Sequence, residues 1–257
     1  MNGAFEVGAV ALKAQQRALE TIANNVANVN TPAFKRAEVQ FAEVVNASPD
    51  AITEAERLAT ETMAPTGGVR MSTRSMISEA GEMRASGEAM DIAIDGQGFI
   101  ELMGQDGETM LWRGGRLTVD RDGYLSASNG MALRALITVP DDVTELVIDR
   151  DGVVSGSGND SEKLELGQIM LVNAESEADL ERLDAGLFRL AEGARALDAV
   201  PGEDGVGTIQ QGMVEGSNVE MTAAMVEMLV LQRAYAASAQ VIQAADQISS
   251  ITNNLKR

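Results

Sequence analysis

The residues best able to do chemistry in this chain are its carboxylates: 39 Asp and Glu, against no His and no Cys. Carboxylates bind hard cations or act as an acid–base pair, and one arrangement points to the first. Asp120-Arg121-Asp122-Gly123, with Ser126 and Ser128 after it, recurs as Asp149-Arg150-Asp151-Gly152 with Ser155 and Ser157. A D-x-D-G start also opens an EF-hand calcium loop, which needs a bidentate Glu at its twelfth position. Met131 and Asp160 stand there instead, so both copies read as hairpin turns. Acid–base work needs two carboxylates a set distance apart in a cleft, and no pair stands out from the acidic background. The missing imidazole and thiol groups exclude disulfides, Cys/His metal sites and any His- or Cys-based triad. Gly96-Gln97-Gly98 lacks the third glycine and the following helix of a dinucleotide site. No phosphate loop or nucleophile elbow stands out. Trp112 beside Arg113 is the candidate for a sugar-stacking surface, and a packing residue in a hairpin is the plainer reading. The expectation is a non-enzyme with no cofactor and no metal.

Two kinds of element would have to position these residues. From Ser217 to Arg257 an alanine-rich stretch has apolar residues at seven-residue spacing. Met221, Met228, Tyr235 and Ile242 form one line, with Ala224, Leu231, Ser238 and Ala245 three residues on, and Met225 and Leu229 beside them. Ser217 and Glu220 read as an S-x-x-E capping box, and Lys256 and Arg257 suit the negative end of a helix dipole. The spacing predicts one helix of roughly 55 Å, which needs a partner along most of its length. A second helix is predicted from Met1 to about Val29, with Phe5, Leu12, Leu19 and Val26 at heptad spacing and Ile22 and Val29 beside them. Asn24, Asn25, Asn28 and Asn30 crowd its end, and Thr31-Pro32 stops it. The shared period favours pairing of the two chain ends in a coiled-coil arm over an ordinary amphipathic helix on a globular core. Gly8 and Gln15 weaken the first half of the N-terminal seam, which implies helices that fold fully only when partners bury them.

Between the helices, residues 33–70 read as an extended linker, with a short helix starting at Ser48-Pro49-Asp50. Residues 71–214 change to short alternating runs: Ile92–Ile94, Phe99–Leu102, Arg116–Val119, Tyr124–Ala127, Glu145–Ile148, Val153–Ser155 and Gln168–Val172. Asp-Gly pairs at 95–96, 106–107, 122–123 and 151–152 punctuate them as hairpin turns would. The expected class is therefore α+β: a helical domain of 1–32 with 215–257, and a β domain of 71–214. The net charge of −19 argues against binding nucleic acid or an anionic membrane. No apolar run approaches the ~20 residues that span a bilayer. Glu6 interrupts the N-terminus, so export is expected without a cleaved signal.

Four blocks carry a family resemblance. Ala23-Asn24-Asn25-Val26-Ala27-Asn28-Val29-Asn30-Thr31-Pro32-Ala33-Phe34-Lys35-Arg36 closely resembles the N-terminal signature of the bacterial flagellar rod and hook proteins. Asp91 to Phe99, including Gly96 and Gly98, is similar to the strand-turn motif opening their central domain. Leu111 to Asp120, with Gly123-Tyr124-Leu125, resembles the next hairpin. Glu215-Gly216-Ser217-Asn218-Val219, Met225-Val226-Glu227-Met228 and Gln232-Arg233-Ala234-Tyr235 are similar to the C-terminal signature. Within the family, the length and single central domain resemble rod subunits, not the longer hook subunit. Residues 41–69 are similar to the stretch of distal-rod members, while Gly186 to Leu190 resembles proximal-rod members. Two positions depart from the pattern. Ala33 stands where the family has Gly, so a positive φ there is strained, and Leu111-Trp112-Arg113 replaces a Tyr-Thr-Arg-like run.

The resemblance implies a structural subunit that polymerises with itself into a hollow helical tube, carrying torque from motor to hook around a channel for exported chains. It implies assembly through the terminal helices, for which Phe5, Leu12, Leu19, Ile22, Val26, Met221, Met225, Met228, Leu231, Tyr235 and Ile242 are the candidate residues, with the β domain outside them. Other rod proteins, the hook protein, the surrounding rings and the export apparatus are the implied partners, and the periplasm-spanning basal body the implied place. Alternatives from other classes are a secreted wall-binding adhesin using Trp112 and a cell-wall enzyme.

Overall fold

The computed structural model describes residues 2–44, 68–104, 108–158, 163–176, 179–183, 186–191, 193–203 and 205–255. The expected short helix after Ser48, the Asp106-Gly107 turn, Lys256, Arg257 and the side chain of Phe5 lie outside the described residues. The chain is α+β and divides into two compact units: Met1–Ala27, Ala37–Arg74 and Glu220–Arg257 form a helical unit, and Asn28–Arg36 with Ser75–Val219 form a β unit.

In the helical unit, α1 (Asn2–Ala27) and α2 (Met221–Leu255) pack together. Gly8 lies against Ile242, and Gln15 Nε2 donates to Ser238 Oγ at 3.2 Å. The numbering runs in opposite senses, so the helices are antiparallel. At 1.5 Å per residue α2 is about 52 Å long and α1 about 39 Å, so α1 leaves part of its partner uncovered. The most deeply buried line on α1 is Ala14, Ala18, Ile22 and Asn25, while Leu12, Leu19 and Val26 are only half-buried. That line is rotated from the expected Phe5-to-Val26 seam because α1 also packs on β1 (Ala37–Val44). There the Asn25 amide and the Ala37 backbone exchange two hydrogen bonds, at 2.8 and 3.0 Å. β1 pairs with β2 (Gly68–Ser75) as a two-stranded ribbon where the sequence reads as a linker. The alternation of Val39 and Phe41 with Glu38 and Gln40 was its signal.

Helix α2 begins at Met221, four residues after the expected Ser217. Its first bond of helical spacing runs from Ala224 N to Glu220 O, at 3.0 Å. Ser217 caps no helix: its Oγ accepts from Val219 N at 3.3 Å. The Asn218 N–H donates to Phe34 O, so this stretch is held in the β unit and cannot continue a helix.

The β unit contains β3 (Met83–Ala85), β4 (Asp91–Asp95), β5 (Phe99–Met103), β6 (Thr109–Trp112), β7 (Gly114–Val119), β8 (Leu125–Ala127) and β9 (Ala132–Leu133). It continues through β10 (Val143–Ile148), β11 (Val153–Gly158), β12 (Lys163–Gln168), β13 (Leu171–Ala174), β14 (Leu180–Arg182), β15 (Leu187–Leu190), β16 (Ala196–Ala199), β17 (Thr208–Gln211) and β18 (Met213–Glu215). The large sheet runs β14-β15-β6-β5-β9-β8-β7-β4-β17, with β13 beside β5 and β16 beside β13. A three-stranded sheet, β10-β11-β12, and the pair β18-β3 complete it. Ile92, Ile94, Ile100, Leu102, Leu117, Leu125, Leu133, Val154 and Leu171 form its main core. Gln211 docks the smaller sheet with its side chain used as a peptide unit: Oε1 accepts from Ile148 N, and Nε2 donates to Leu146 O and Ala89 O.

Three expectations change here. The single strand over 168–172 is split into β12 and β13, because the Ile169 N–H turns away to donate to Gly152 O. Asp95-Gly96 makes no hairpin, since β4 and β5 each pair with other strands. Gly96 sits at φ 125°, where a Cβ would lie 2.7 Å from the Gly207 Cα, so a side chain is excluded. Trp112 is 4% exposed in the core and presents no sugar platform. The D-R-D-G repeats do form matching turns, with Gly123 at φ 83° and Gly152 at φ 84°. Asp120 spends its carboxylate on Asp122 N, Tyr124 N and Ser126 Oγ. Among the described residues, no group of three Asp or Glu is placed to hold a metal.

Candidate functional site

Two features stand out when the sequence motifs are placed on the fold: a buried charge cluster in the β unit and an uncovered apolar face on α2.

The cluster starts from the turn after α1. Thr31 N donates to Asn28 O, Thr31 Oγ1 to Asn28 Oδ1, and Phe34 N to Thr31 O. Ala33 takes φ 55°, which aims its N–H at Glu215 O, 2.8 Å away. The strain expected of a residue other than glycine at this position is therefore present. Phe34 is buried beneath the Arg182 guanidinium, 4.1 Å from the ring centre, and Arg182 also donates to Lys35 O. Asn218 holds the next residue: its Oδ1 accepts from Arg36 N at 2.7 Å, and its Nδ2 donates to Met76 O and Glu79 O.

Lys35 points inward and is wholly buried. Its Nζ lies 2.6 Å from Glu215 Oε1 and donates also to Glu79 O. The same Oε1 accepts from Gly81 N at 2.9 Å, while Oε2 accepts from Arg113 Nε at 3.1 Å. Arg113 uses its other N–H groups on Gly98 O, Gly96 O and Ile94 O, and its guanidinium lies 5.8 Å from the Phe99 ring centre. One carboxylate thus holds two buried cations, and each remaining polar group finds a carbonyl, as buried ions require. Burial alone would raise the Glu215 pKa. Arg113 and Lys35, with hydrogen bonds from Lys35 and the Gly81 N–H, outweigh it and hold the carboxyl below its ordinary value. Burial pulls Lys35 below the ordinary amine value; the Glu215 carboxylate opposes this and Arg113 adds to it.

Blocks far apart in the sequence therefore meet at one point. Phe34, Gly96, Gly98, Phe99 and Asn218 contribute to it, and Val219 is buried beside Asn218 in the chain. Lys35, Arg113 and Glu215 are the centre that sequence reasoning missed. The available signal was their position: Arg113 and Glu215 stand in apolar or glycine-rich runs, and Lys35 follows Ala33-Phe34 in the N-terminal block. The cluster holds structure together and leaves no group free for catalysis.

The second feature lies on α2. Ala224 is buried, and Met228, Leu231, Ser238, Ile242 and Ala245 are half-buried, whereas Met221, Met225 and Tyr235 are exposed. Val226, Leu229, Val230, Val241, Ile248 and Ile251 are 56–68% exposed. At 100° per residue these six form a stripe away from the seam that holds Ala224 and Ile242. Gln232 and Arg233 are also exposed on α2, as is Asn24 on α1.

Comparison with known proteins places these sequence blocks in a family. Residues 5–35 match the family model described as flagella basal body rod protein. Residues 93–156 match the flagellar hook protein FlgE/F/G D1 domain, and 210–255 match the flagellar basal body rod FlgEFG protein C-terminal. The chain is 33% identical to the flagellar basal-body rod protein FlgG of Borreliella burgdorferi, over all of both chains. It is 33% identical to FlgG of Agrobacterium fabrum, over 98% of this chain and 99% of the relative. The chain belongs to the flagellar basal-body rod protein family. In this rod-family chain, Lys35, Arg113 and Glu215 fall one in each of the three matched regions. A partial likeness reaches the flagellar hook protein FlgE of Brucella abortus, 34% identical over 52% of this chain and 31% of that one.

Proposed function

We propose that this protein is a structural subunit of the distal part of the flagellar basal-body rod, polymerising into a hollow tube that carries torque to the hook. The observation carrying this reading is the uncovered stripe Val226, Leu229, Val230, Val241, Ile248 and Ile251. Its burial is worth roughly 10 kcal/mol, which is of the same order as the cost of association. A single contact is then marginal, and a polymer that gives each subunit several contacts is favoured. The paired helices α1 and α2 act as a coiled-coil-like axial arm, with Leu12, Leu19, Ile22, Val26, Met221, Met225, Met228, Leu231, Tyr235 and Ile242 in or beside its contacts. Copies of this chain, other rod proteins and the hook protein are its partners, with ring and export components along its path; it takes no cofactor. The distal place is supported by FlgG relatives that match the chain end to end.

The test is a deletion strain complemented with a labelled copy. Basal bodies isolated from it should carry the label in the distal rod, and the deletion should stop hook growth and swimming. Label confined to the proximal rod would replace the distal reading. Normal flagella in the deletion strain would sink the proposal altogether.

A further inference from the structure

The three charges at the centre of the β unit come from distant parts of the chain. Glu215 is 180 residues from Lys35 and 102 from Arg113. Their side chains are 1%, 0% and 3% exposed. Until Glu215 docks, closing the unit would bury an ammonium and a guanidinium without their shared counter-charge, a state heavily disfavoured in a low-dielectric interior. The backbone follows the same dependence. Glu215 O receives the Ala33 N–H, Gly216 N donates to Glu82 O, and β18 pairs only with β3 among the described residues. A Cβ on Gly81 would lie 1.9 Å from Gly216 O, so residues 81 and 216 meet with no slack. The loop closed by the Lys35–Glu215 contact spans most of the chain, and so long a closure comes late when local contacts are on offer.

We propose that the Lys35–Glu215–Arg113 cluster is a completion latch: the large sheet and the β10-β11-β12 sheet form first, and the unit closes only when β18 pairs with β3 and Glu215 reaches both cations. Release of Glu215 is likewise the first step of opening. The inference rests on the geometry of the β unit and not on the rod reading. Its consequence for any chain emerging N-terminus first is that no closed β unit exists until nearly all of it is out.

The test uses the full-length chain and its single tryptophan, Trp112, as a fluorescent reporter of stopped-flow unfolding and refolding in urea. A contact formed last changes the unfolding rate and spares the refolding rate. E215Q should unfold about a hundredfold faster than the parent, with refolding within about twofold. K35M keeps the Arg113–Glu215 pair and should unfold at most about tenfold faster, again with refolding spared. Refolding slowed as much as unfolding is speeded would overturn the latch, because the cluster would then form early. Equal damage from K35M and E215Q would also overturn it, because the shared carboxylate would not be the controlling group. If E215Q does not fold, the division of the K35M effect between the two rates decides the question by itself.

Discussion

Glu215 and Val230 lie on either side of the boundary between the two units, and each is a costly group for its setting. The carboxylate is 1% exposed and fully paired within its own unit. The valine is 60% exposed on a helix with other bare aliphatic residues. The β unit thus closes on itself, even to the point of pairing its buried ions. The helical unit has half of a core and leaves the other half uncovered. Exposed apolar residues gathered on one face of a helix are the kind of surface that can mark an interaction site. The contrast separates a part that pairs its buried charges within itself from a part whose exposed aliphatic residues are the surface proposed for assembly.

The contrast breaks most visibly if charge is placed on the bare stripe. V230E with I248E should abolish polymerisation of purified protein, measured by sedimentation or electron microscopy. The free monomer should keep its stability to within about 0.5 kcal/mol, because both positions are exposed. A monomer strongly destabilised by this pair would mean the stripe is already covered within one chain. E215Q makes the opposite cut. It should lower the stability of the β unit by about 3 kcal/mol in urea unfolding followed through Trp112, while leaving the α2 stripe chemically unchanged.

A pH titration sharpens the same point. The Glu215 carboxyl is held below its ordinary value of 4.5 in the folded chain. Below that value the unfolded chain binds the extra proton first, so stability rises with pH across this window. The contribution is full above about pH 4.5 and is lost as pH falls through the lowered folded value. The gap between parent and E215Q should therefore shrink in acid, and a gap that stays constant down to full protonation would argue against an ionised Glu215. The smallest expected effect concerns Ala33, at φ 55°. Relief of a left-handed alanine is worth about 1–2 kcal/mol, and the extra freedom of glycine offsets about 0.5–1 of it. A33G should accordingly raise stability by up to about 1.5 kcal/mol, measured by urea unfolding.

Much of this architecture was legible because its signals are local. Heptad spacing announced α1 and α2, Thr31-Pro32 announced the end of the first, and alternating runs announced β4, β5, β7, β8, β10 and β11. Where sequence reading failed, a distant group had taken over. Ser217 and Glu220 have the spacing of a capping box, but Asn218 is bonded to Phe34, Arg36, Met76 and Glu79, and the helix waits until Met221. Asp95-Gly96 has the composition of a hairpin turn, but the neighbours of β4 and β5 in the sheet come from elsewhere. Residues 37–44 read as linker because their partner strand lies beyond a long intervening stretch.

For α2, the length of the 217–257 stretch and its apolar seam at seven-residue spacing already required a partner. That α1 is antiparallel to it and shorter, leaving the Val226-to-Ile251 stripe bare, was a matter of tertiary packing. The same division holds at the cluster. The sequence by itself determined that Lys35, Arg113 and Glu215 each stand in a motif, and a buried charge demands an opposite one. Which charges meet was decided only by the fold. Pairing across 180 residues depends on where two strands and a turn come to rest, and no local spacing encodes that distance.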